Sequence, residues 1–217
     1  MRVIKLIAAA WPQFLQGTWV TVYTSLITVF LGLIFGSLVC LMRMNKSKIL
    51  RAISTVYVEV IRGTPILLQL WIFFLLPAQL GLVLDKYFCA LFALVVNSTA
   101  YVSELIRSGI QSIDVGQTEA ARSLGLTSGQ TMIKIVLPQA IRNILPAIGN
   151  EFIMMIKETS LLSTFMIGDI MTVRATVGAA YFLPFQALII AGIIYFVLTF
   201  SMSKLLGLLE RRMRQDD

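Results

Sequence analysis

Residues 116–138 of the chain read GQTEAARSLGLTSGQTMIKIVLP, a polar and charged stretch between long apolar segments. The stretch predicts two short helices with a break between them. The first is expected to end at Gly125, because glycine readily adopts the positive φ of a helix C′ position. Thr127 and Gln130 have the spacing of a capping box, which predicts that the second helix begins there. Pro138 is expected to interrupt that helix, since proline lacks an N–H donor.

The composition predicts that the rest of the chain lies in a membrane. Of 217 residues, 58% are hydrophobic and 13% are charged, and the mean hydropathy is +0.85. A soluble domain of this length needs more charge to cover its surface. We therefore expect an all-α integral membrane protein in contact with lipid, with a single transmembrane domain over 1–217. In such a protein a bent polar projection suits contact with a soluble partner; a structured loop without a partner is the alternative.

Three other classes of site are excluded. A net charge of +7 would suggest nucleic acid in a soluble protein, but these basic residues flank apolar segments, as membrane topology requires, so no nucleic-acid partner is expected. The chain has no histidine, and Cys40 and Cys89 lie alone in apolar segments, which excludes a Cys/His metal cluster or catalytic pair. It also lacks a G-x-x-x-x-G-K-[ST] loop, so it does not bind ATP by a P-loop, and if its activity is driven by ATP the nucleotide site lies on another chain. We expect no enzyme activity and no cofactor here.

Five segments are long and apolar enough to cross a membrane as helices. Residues 1–16 are expected to form an interfacial amphipathic segment. A partly helical loop is expected around Asp169 and Arg174. Gly32 and Gly36 form a G-x-x-x-G pair, which favours the close approach of a neighbouring helix. The five predicted segments run from about 17 to 42, 52 to 80, 87 to 110, 141 to 165 and 184 to 204.

The distribution of basic residues predicts the orientation. With five spans the chain ends lie on opposite sides, and twelve basic residues fall on one side against four on the other. The side with more basic residues is the cytoplasmic one, which predicts a cytoplasmic C-terminus, an external N-terminus and a cytoplasmic segment 116–138. The twelve are Arg43, Lys46, Lys48, Arg51, Arg107, Arg122, Lys134, Arg142, Lys204, Arg211, Arg212 and Arg214; the four are Arg2, Lys5, Lys86 and Arg174.

Several polar residues lie at membrane depth, where an ionisable group is costly unless it is paired or faces water. At about 1.5 Å per helical residue, three different segments bring such residues to overlapping depths. This arrangement predicts a cavity for a small zwitterion, in which basic groups meet its carboxylate, glutamates meet its ammonium and amides fix its orientation. The alternative is that the charges pair with each other, as Glu59 with Arg62 and Glu104 with Arg107. The predicted substrate-binding residues are Glu59, Arg62, Gln69, Asn97, Lys157 and Glu158.

The same depth contains a predicted helix break. Gly63, Thr64 and Pro65 follow Arg62 directly, and a proline clashes with the preceding helical turn. A broken helix in the middle of a membrane suits a site that opens to alternate sides. We therefore predict a hinge or gate at Gly63, Thr64, Pro65 and Leu67. A static kink is the alternative, with Leu67 serving only in packing.

Two sets of motifs resemble a known family. Glu119-Ala120-Ala121, with Gly125 and then Ile135, Leu137 and Pro138 at the expected spacing, resembles the EAA signature of ABC-importer permeases. The runs 62–65 (RGTP) and 157–161 (KETSL) resemble the polar amino-acid subfamily, of the histidine, glutamine and arginine type. The resemblance spans most of the chain.

The resemblance implies one permease half of a type I ABC importer in a prokaryotic cytoplasmic membrane, working by alternating access. Segment 116–138 would then be the coupling helix, with Glu119, Ala120, Ala121 and Gly125 docking on an ATPase subunit. The implied partners are a pair of ATPase subunits that hold ATP and magnesium, a second permease subunit (identical or a close paralogue), and an extracytoplasmic amino-acid-binding protein. The implied substrate is a polar amino acid.

Three alternatives remain at this point. A partner-independent channel or ion-coupled carrier would use the same buried charges, although it would need no projecting docking helix. An ABC permease for another small solute, such as a metal chelate or an opine, would keep the architecture. An intramembrane enzyme would use Glu59 or Glu158 as a base, but no nucleophile-plus-base set accompanies them.

Overall fold

The computed structural model describes the backbone of residues 2–215 and the side chains of residues 5–213. Two basic residues of the topology argument, Arg2 and Arg214, therefore have side chains outside the described part. The helices are α1 (Arg2–Arg43), α2 (Lys48–Arg62), α3 (Ile66–Gln79), α4 (Lys86–Gln111), α5 (Val115–Ser123), α6 (Ser128–Thr131), a π-helical turn (Met132–Val136), α7 (Leu137–Glu158), a 3₁₀ turn (Thr159–Phe165), α8 (Ile170–Ala180) and α9 (Pro184–Gln215).

The predicted all-α membrane fold is confirmed. In the described part of the chain, α1, α4 and α9 are each long and apolar enough to cross a membrane. Two bent pairs bring the number to five, if each pair counts as one span. One pair is α2 with α3, and the other is the continuous helical stretch from α6 through the 3₁₀ turn together with α8.

The N-terminal segment that was predicted to be interfacial is not a separate element, because α1 is one helix from Arg2 to Arg43. Leu6, Ala10 and Phe14 recur every four residues and so lie on one helix face. All three are buried against α8 and α9, where they form a core with residues such as Ile170 and Ile190. Packing of this face keeps the helix continuous through Pro12. The first long helix therefore begins earlier than the predicted span of 17–42.

The predicted close approach at Gly32 and Gly36 is confirmed. A Cβ atom on Gly32 would lie 2.7 Å from Ser98 Oγ, and one on Gly36 would lie 3.0 Å from Thr99 O. The first distance is shorter than real Cβ contacts and the second is tighter than most of them, so a side chain at either position would push α1 away from α4. This contact fixes the position of α4, the helix that carries Asn97.

The predicted break in the second span is present. Gly63, Thr64 and Pro65 separate α2 from α3, and the two helices meet at an angle of 107°. Pro65 is the N-cap residue of α3 and has an extended backbone, with φ −62° and ψ 136°. The N–H of Gly63 still donates to the carbonyl of Glu59 at 2.8 Å, which closes the last turn of α2.

The prediction that Pro138 interrupts the helix is wrong. The chain stays helical from α6 through the π-helical turn into α7, with Pro138 in the first turn of α7. In a regular α-helix the proline ring would clash with the carbonyl of Lys134. That carbonyl lies in the wider π-helical turn, which relieves the clash. Gln139 Nε2 also donates to the carbonyl of Ile135 at 2.8 Å, so a side chain satisfies a carbonyl of the irregular turn.

The loop expected around Asp169 and Arg174 is mostly helical. Asp169 is the N-cap of α8, and its carboxylate accepts from the backbone N–H of Met171 at 2.9 Å. Asp169 is fully buried, and a Cβ atom on Gly17 would meet its carbonyl at 3.2 Å. The N-terminal end of α8 is thus held against α1.

Candidate functional site

A cavity of about 410 Å³ lies beside the break between α2 and α3. Its walls come from the break itself, from α4 and from the second half of α7. Three of the residues predicted to bind substrate, one on each wall, are therefore brought together. The polar side chains that line the cavity are Arg62, Thr64, Asn97, Tyr101, Glu151 and Glu158.

Arg62 is the last residue of α2 and supplies the positive charge of the cavity. Its guanidinium carbon lies 5.4 Å from the centroid of the Tyr101 ring, within the range of a cation–π contact. Its Nη1 lies 3.8 Å from Glu104 Oε2, and 42% of the side chain remains exposed. Since a guanidinium has five N–H donors, Arg62 retains donors for a second anion.

Glu104 links α1, α2 and α4 through ion pairs. Its carboxylate accepts hydrogen bonds from Arg43, at the end of α1, and from Arg107, one turn further along α4. The predicted pairing of Glu104 with Arg107 is thus present. The pairing of Glu59 with Arg62 is not among the ion pairs of the described residues, because Arg62 instead approaches Glu104. We call Arg43, Arg62, Glu104 and Arg107 the Glu104 cluster; three guanidiniums share one carboxylate there.

Gln69 lies behind the cavity wall and does not line it. The side chain is buried, and its Nε2 donates to the carbonyl of Ile61 at 2.8 Å and to Thr64 Oγ1 at 2.9 Å. The Ile61 carbonyl is one of those left without an intrahelical donor where α2 ends. Gln69 Oε1 accepts from Asn97 Nδ2 at 2.9 Å. Gln69 is therefore connected to the cavity only through Asn97, and its predicted role in substrate binding stays a prediction.

Two carboxylates lie on the α7 side of the cavity. Glu158 is among the residues predicted to bind substrate, whereas Glu151 is not. Glu151 is buried, accepts from Ser98 Oγ at 3.1 Å, and lines the same cavity. The two glutamates are seven residues apart, about two helical turns, and therefore share a face of α7. That spacing is a signal in the sequence from which Glu151 could have been found.

The remaining predicted residues lie elsewhere. Glu59, Lys157 and Leu67 are exposed and are absent from the lining of the cavity. Lys157 precedes Glu158 directly, and adjacent residues of a helix do not share a face. Their predicted roles in binding or gating stay predictions.

The first half of segment 116–138 forms a well-capped helix. Asp114 accepts from the backbone N–H of Gly116 at 2.8 Å and begins α5. At the other end Gly125 has φ +88°, as predicted. The N–H of Leu126 donates to the carbonyl of Ala121 at 3.2 Å, and that of Gly125 to the carbonyl of Arg122 at 3.0 Å. These two bonds form a Schellman motif, which fixes the angle at which the chain leaves α5.

The predicted capping box at the start of the second helix is present. Thr127 Oγ1 accepts from the N–H of Gln130 at 3.3 Å, and Gln130 Oε1 accepts from the N–H of Thr127 at 2.9 Å. Glu119 and Ala120 are exposed on α5, whereas Ala121 is buried. The segment therefore has two helical parts that meet at Gly125, and it exposes apolar side chains such as Leu124 and Ile133 beside its polar ones. It is here called the elbow (116–138).

A second and larger hollow, of about 690 Å³, lies between α1, α2 and α4. Residues such as Leu31, Phe35, Ile53 and Phe92 line it, and no charged side chain does. It therefore lacks the groups that a polar solute needs in a membrane, and the cavity beside the break is the better candidate.

Comparison with known proteins agrees with this architecture. Residues 13–215 match the family described as binding-protein-dependent transport system inner membrane component. The arginine transport system permease protein ArtQ of Bacillus subtilis is 40% identical, over 95% of this chain and 94% of the relative. The nopaline transport system permease protein NocM of Agrobacterium fabrum is 38% identical, over 95% and 90% of the two chains.

Solved structures agree as well. The structure described as an amino acid ABC transporter with histidines is 41% identical, with a TM-score of 0.93 over 95% of this chain and 96% of that chain. An inward-facing structure of the MetNI methionine ABC transporter shares the fold at 18% identity, with a TM-score of 0.70 over 92% of this chain and 97% of that one. The chain therefore belongs to the family of binding-protein-dependent transport system inner membrane components, the permease subunits of ABC importers.

Proposed function

We propose that this permease subunit carries amino acids with a cationic side chain, by alternating access of the cavity beside the α2–α3 break. The observation that carries the proposal is the set of charges in that cavity. One guanidinium, from Arg62, lines the cavity together with two carboxylates, from Glu151 and Glu158. Charges within a membrane need a partner or water, so this set favours a charged ligand.

The charges match the groups of a basic amino acid. Arg62 would bind the α-carboxylate through charge-assisted hydrogen bonds. The two glutamates would bind the α-ammonium and the side-chain cation. A neutral or acidic amino acid would leave one carboxylate of the cavity without a counter-charge, which is costly away from water. The names of the relatives, which include permeases for arginine, nopaline and L-cystine, support a substrate of amino-acid type.

The orientation follows from the basic residues. The excess of lysine and arginine beside the elbow and near the C-terminus favours the cytoplasm for both, and the outside for the N-terminus. The exposed face of α5, with Glu119 and Ala120, would then dock on an ATPase subunit, with Ala121 and Gly125 supporting its shape. A pair of such ATPases would hold ATP and magnesium. A second permease subunit and an extracytoplasmic binding protein complete the proposed importer.

The break is the proposed hinge. Gly63, Thr64 and Pro65 form both the joint between α2 and α3 and one wall of the cavity. A change in the 107° angle would therefore alter the cavity that Arg62 and Asn97 line. ATP binding would drive this change from the elbow through the helical stretch that continues into α7.

The test is ATP-driven uptake of radiolabelled L-arginine by the complete importer in proteoliposomes. Arg62→Ala and Glu158→Ala should each lower uptake at least about tenfold, since each removes a charge-assisted contact. Both should retain the ATPase subunits on purification, because neither residue lies near the elbow. Arg51→Ala, on the first turn of the same helix as Arg62, should leave uptake unchanged.

Uptake at the wild-type rate by both cavity variants would contradict the proposal. Uptake by the chain without ATP or its partners would favour a channel or carrier instead.

A further inference from the structure

Backbone carbonyls fix the orientation of the Gln69 side chain. Its Nε2 lies 2.8 Å from the carbonyl oxygen of Ile61 and 3.2 Å from that of Thr64. Carbonyl oxygens only accept hydrogen bonds, so the amide nitrogen of Gln69, rather than its oxygen, must face them. The Thr64 hydroxyl agrees with this assignment, because it donates to the carbonyl of Val60 at 2.9 Å and accepts from Gln69 at 2.9 Å.

This orientation in turn fixes Asn97. With its nitrogen turned to the carbonyls, Gln69 offers Oε1 to Asn97, and an oxygen can only be matched by a donor. The donor is Asn97 Nδ2, at 2.9 Å. The remaining polar atom of Asn97 is its carbonyl oxygen, Oδ1, which accepts no hydrogen bond from the residues that the structure describes. Since Asn97 lines the cavity, the group it can offer a ligand there is an acceptor.

The cavity is therefore divided by hydrogen-bonding character. Arg62, at the break, can only donate, while Asn97 Oδ1 and the carboxylates of Glu151 and Glu158 can only accept when those glutamates are ionised. An α-carboxylate has no donor for Asn97, whereas an α-ammonium has three. A zwitterion thus has one favourable direction in the cavity.

We propose that Gln69 is a positioning residue that holds Asn97 Oδ1 toward the cavity, so that Asn97 selects the α-ammonium of the substrate. The proposal rests on the proposed function of the cavity. It also connects the hinge to selectivity, because the chain of hydrogen bonds runs from Val60 through Thr64 and Gln69 to Asn97. A movement at the break that separated Gln69 from the carbonyls would release the amide of Asn97 to rotate.

The test compares two ligands in the purified importer without its extracytoplasmic binding protein. The ligands are L-arginine and 5-guanidinopentanoic acid, which is arginine without the α-ammonium. The dissociation constant of 5-guanidinopentanoic acid divided by that of L-arginine measures recognition of the α-ammonium. This ratio is insensitive to a general loss of affinity. In the wild type the ratio should be about 10 to 100, the effect of hydrogen bonding to a charged group.

Gln69→Met keeps the length of the side chain but removes both amide groups, and it should lower the ratio at least about fivefold, while the glutamate that meets the α-ammonium keeps the ratio above one. Asn97→Leu should do the same, and Gln69→Met should add nothing in the Asn97→Leu background, because the two residues act in series. Gln79→Met, at the exposed end of the same helix, should keep the wild-type ratio.

A conservative variant keeps the test decisive if Gln69→Met folds poorly. In Gln69→Glu a neutral carboxyl group can donate to the Ile61 carbonyl and accept from Asn97, so the ratio should remain near the wild-type value. A wild-type ratio in folded Gln69→Met would overturn the inference, as would loss of the ratio in Gln69→Glu.

Failure of the proposed function has a different signature. If the wild-type importer binds neither ligand while it hydrolyses ATP, then the cavity is not an amino-acid site, and the inference falls with it. If the wild type binds L-arginine with a ratio near one, transport of a cationic amino acid through the cavity stands, but recognition of the α-ammonium there, by Asn97 or by a glutamate, is overturned.

Discussion

At Glu104 one carboxylate separates three guanidiniums. Glu104→Gln would remove the negative charge and leave Arg43, Arg62 and Arg107 close to one another. The Glu104 side chain is only 19% exposed, so water compensates little of this repulsion. Since breaking one partner of a largely buried ion pair costs a few kcal/mol, we expect the free energy of unfolding to fall by about 3 kcal/mol. Reversible denaturant unfolding of the purified chain in detergent would measure it.

Glu59→Gln provides the matched control, because Glu59 is exposed and takes part in none of the ion pairs of the described residues. It should change the unfolding free energy by less than about 0.5 kcal/mol. Equal effects of the two substitutions would show that the Glu104 cluster does not hold α1, α2 and α4 together.

That polar residues of three different helices lie close together could be predicted from the sequence, whereas the direction of each side chain could not. Counting helical residues predicts similar levels for Arg62, Asn97 and Glu158, and the three share a cavity. Gln69 hydrogen-bonds to Asn97 but turns its amide nitrogen toward the carbonyls freed by the break. Which way a side chain points there depends on the 107° bend, a property of the folded chain.

Among the elements, the elbow depends most on one backbone conformation. Gly125 has φ +88°, a region that other residues occupy only with strain, while Gly129 lies in α6 with open space around it. Gly125→Ala should therefore destabilise the end of α5 by about 1–2 kcal/mol. Gly129→Ala should stabilise the start of the second helix by up to about 1 kcal/mol. Hydrogen exchange of the backbone amides from 119 to 131 would report both changes.

Opposite changes in local stability are the diagnostic result, because the two substitutions add the same methyl group within the same segment. Faster exchange in both variants would mean that the elbow tolerates no added side chain, whatever its backbone. Slower exchange in Gly125→Ala would contradict the Schellman motif at the end of α5.

The signals for the ends of these elements were local, and so they could be recognised in the sequence. The capping box at Thr127 and the C′ glycine at Gly125 act within four or five residues. Local signals did not predict that the helix continues through Pro138 or that α1 begins near the N-terminus, because both depend on the structure around them. A π-helical turn accommodates Pro138, and burial of Leu6, Ala10 and Phe14 against α8 and α9 extends α1.

For the whole molecule, the orientation gives a prediction that labelling can test. Single cysteines would be introduced by Ser128→Cys in the elbow or Leu82→Cys in the exposed turn between α3 and α4. The background would carry Cys40→Ala and Cys89→Ala, which remove the two buried native thiols. In intact cells a membrane-impermeant maleimide should label the variant at Leu82 and leave the variant at Ser128 unlabelled. Labelling at Ser128 should appear after the membrane is permeabilised.

The reverse pattern would place the elbow outside and would leave no cytoplasmic surface for an ATPase at that site. Labelling of both positions in intact cells would indicate leaky membranes, which a cytoplasmic marker protein detects.

The architecture as a whole could be predicted because its signals are strong: long apolar segments, a biased distribution of basic residues and an EAA-like motif. The cavity depends on contacts among three parts of the chain that are distant in sequence. Sequence spacing predicts how far along its helix a residue lies, but not which neighbouring helix its side chain faces. Glu151 is an exception, since its seven-residue spacing from Glu158 places both on one face of α7.

In the proposed function the elbow couples ATP hydrolysis on a partner to movement of solute through this chain. L-arginine uptake per ATP hydrolysed in proteoliposomes tests this coupling, when Glu119→Lys is compared with Gln117→Lys on the same exposed helix. Glu119→Lys should lose its ATPase subunits on purification, and its uptake should fall at least about tenfold, while Gln117→Lys should resemble the wild type. Full uptake by Glu119→Lys, with its ATPase subunits still bound, would show that the elbow does not couple the two processes.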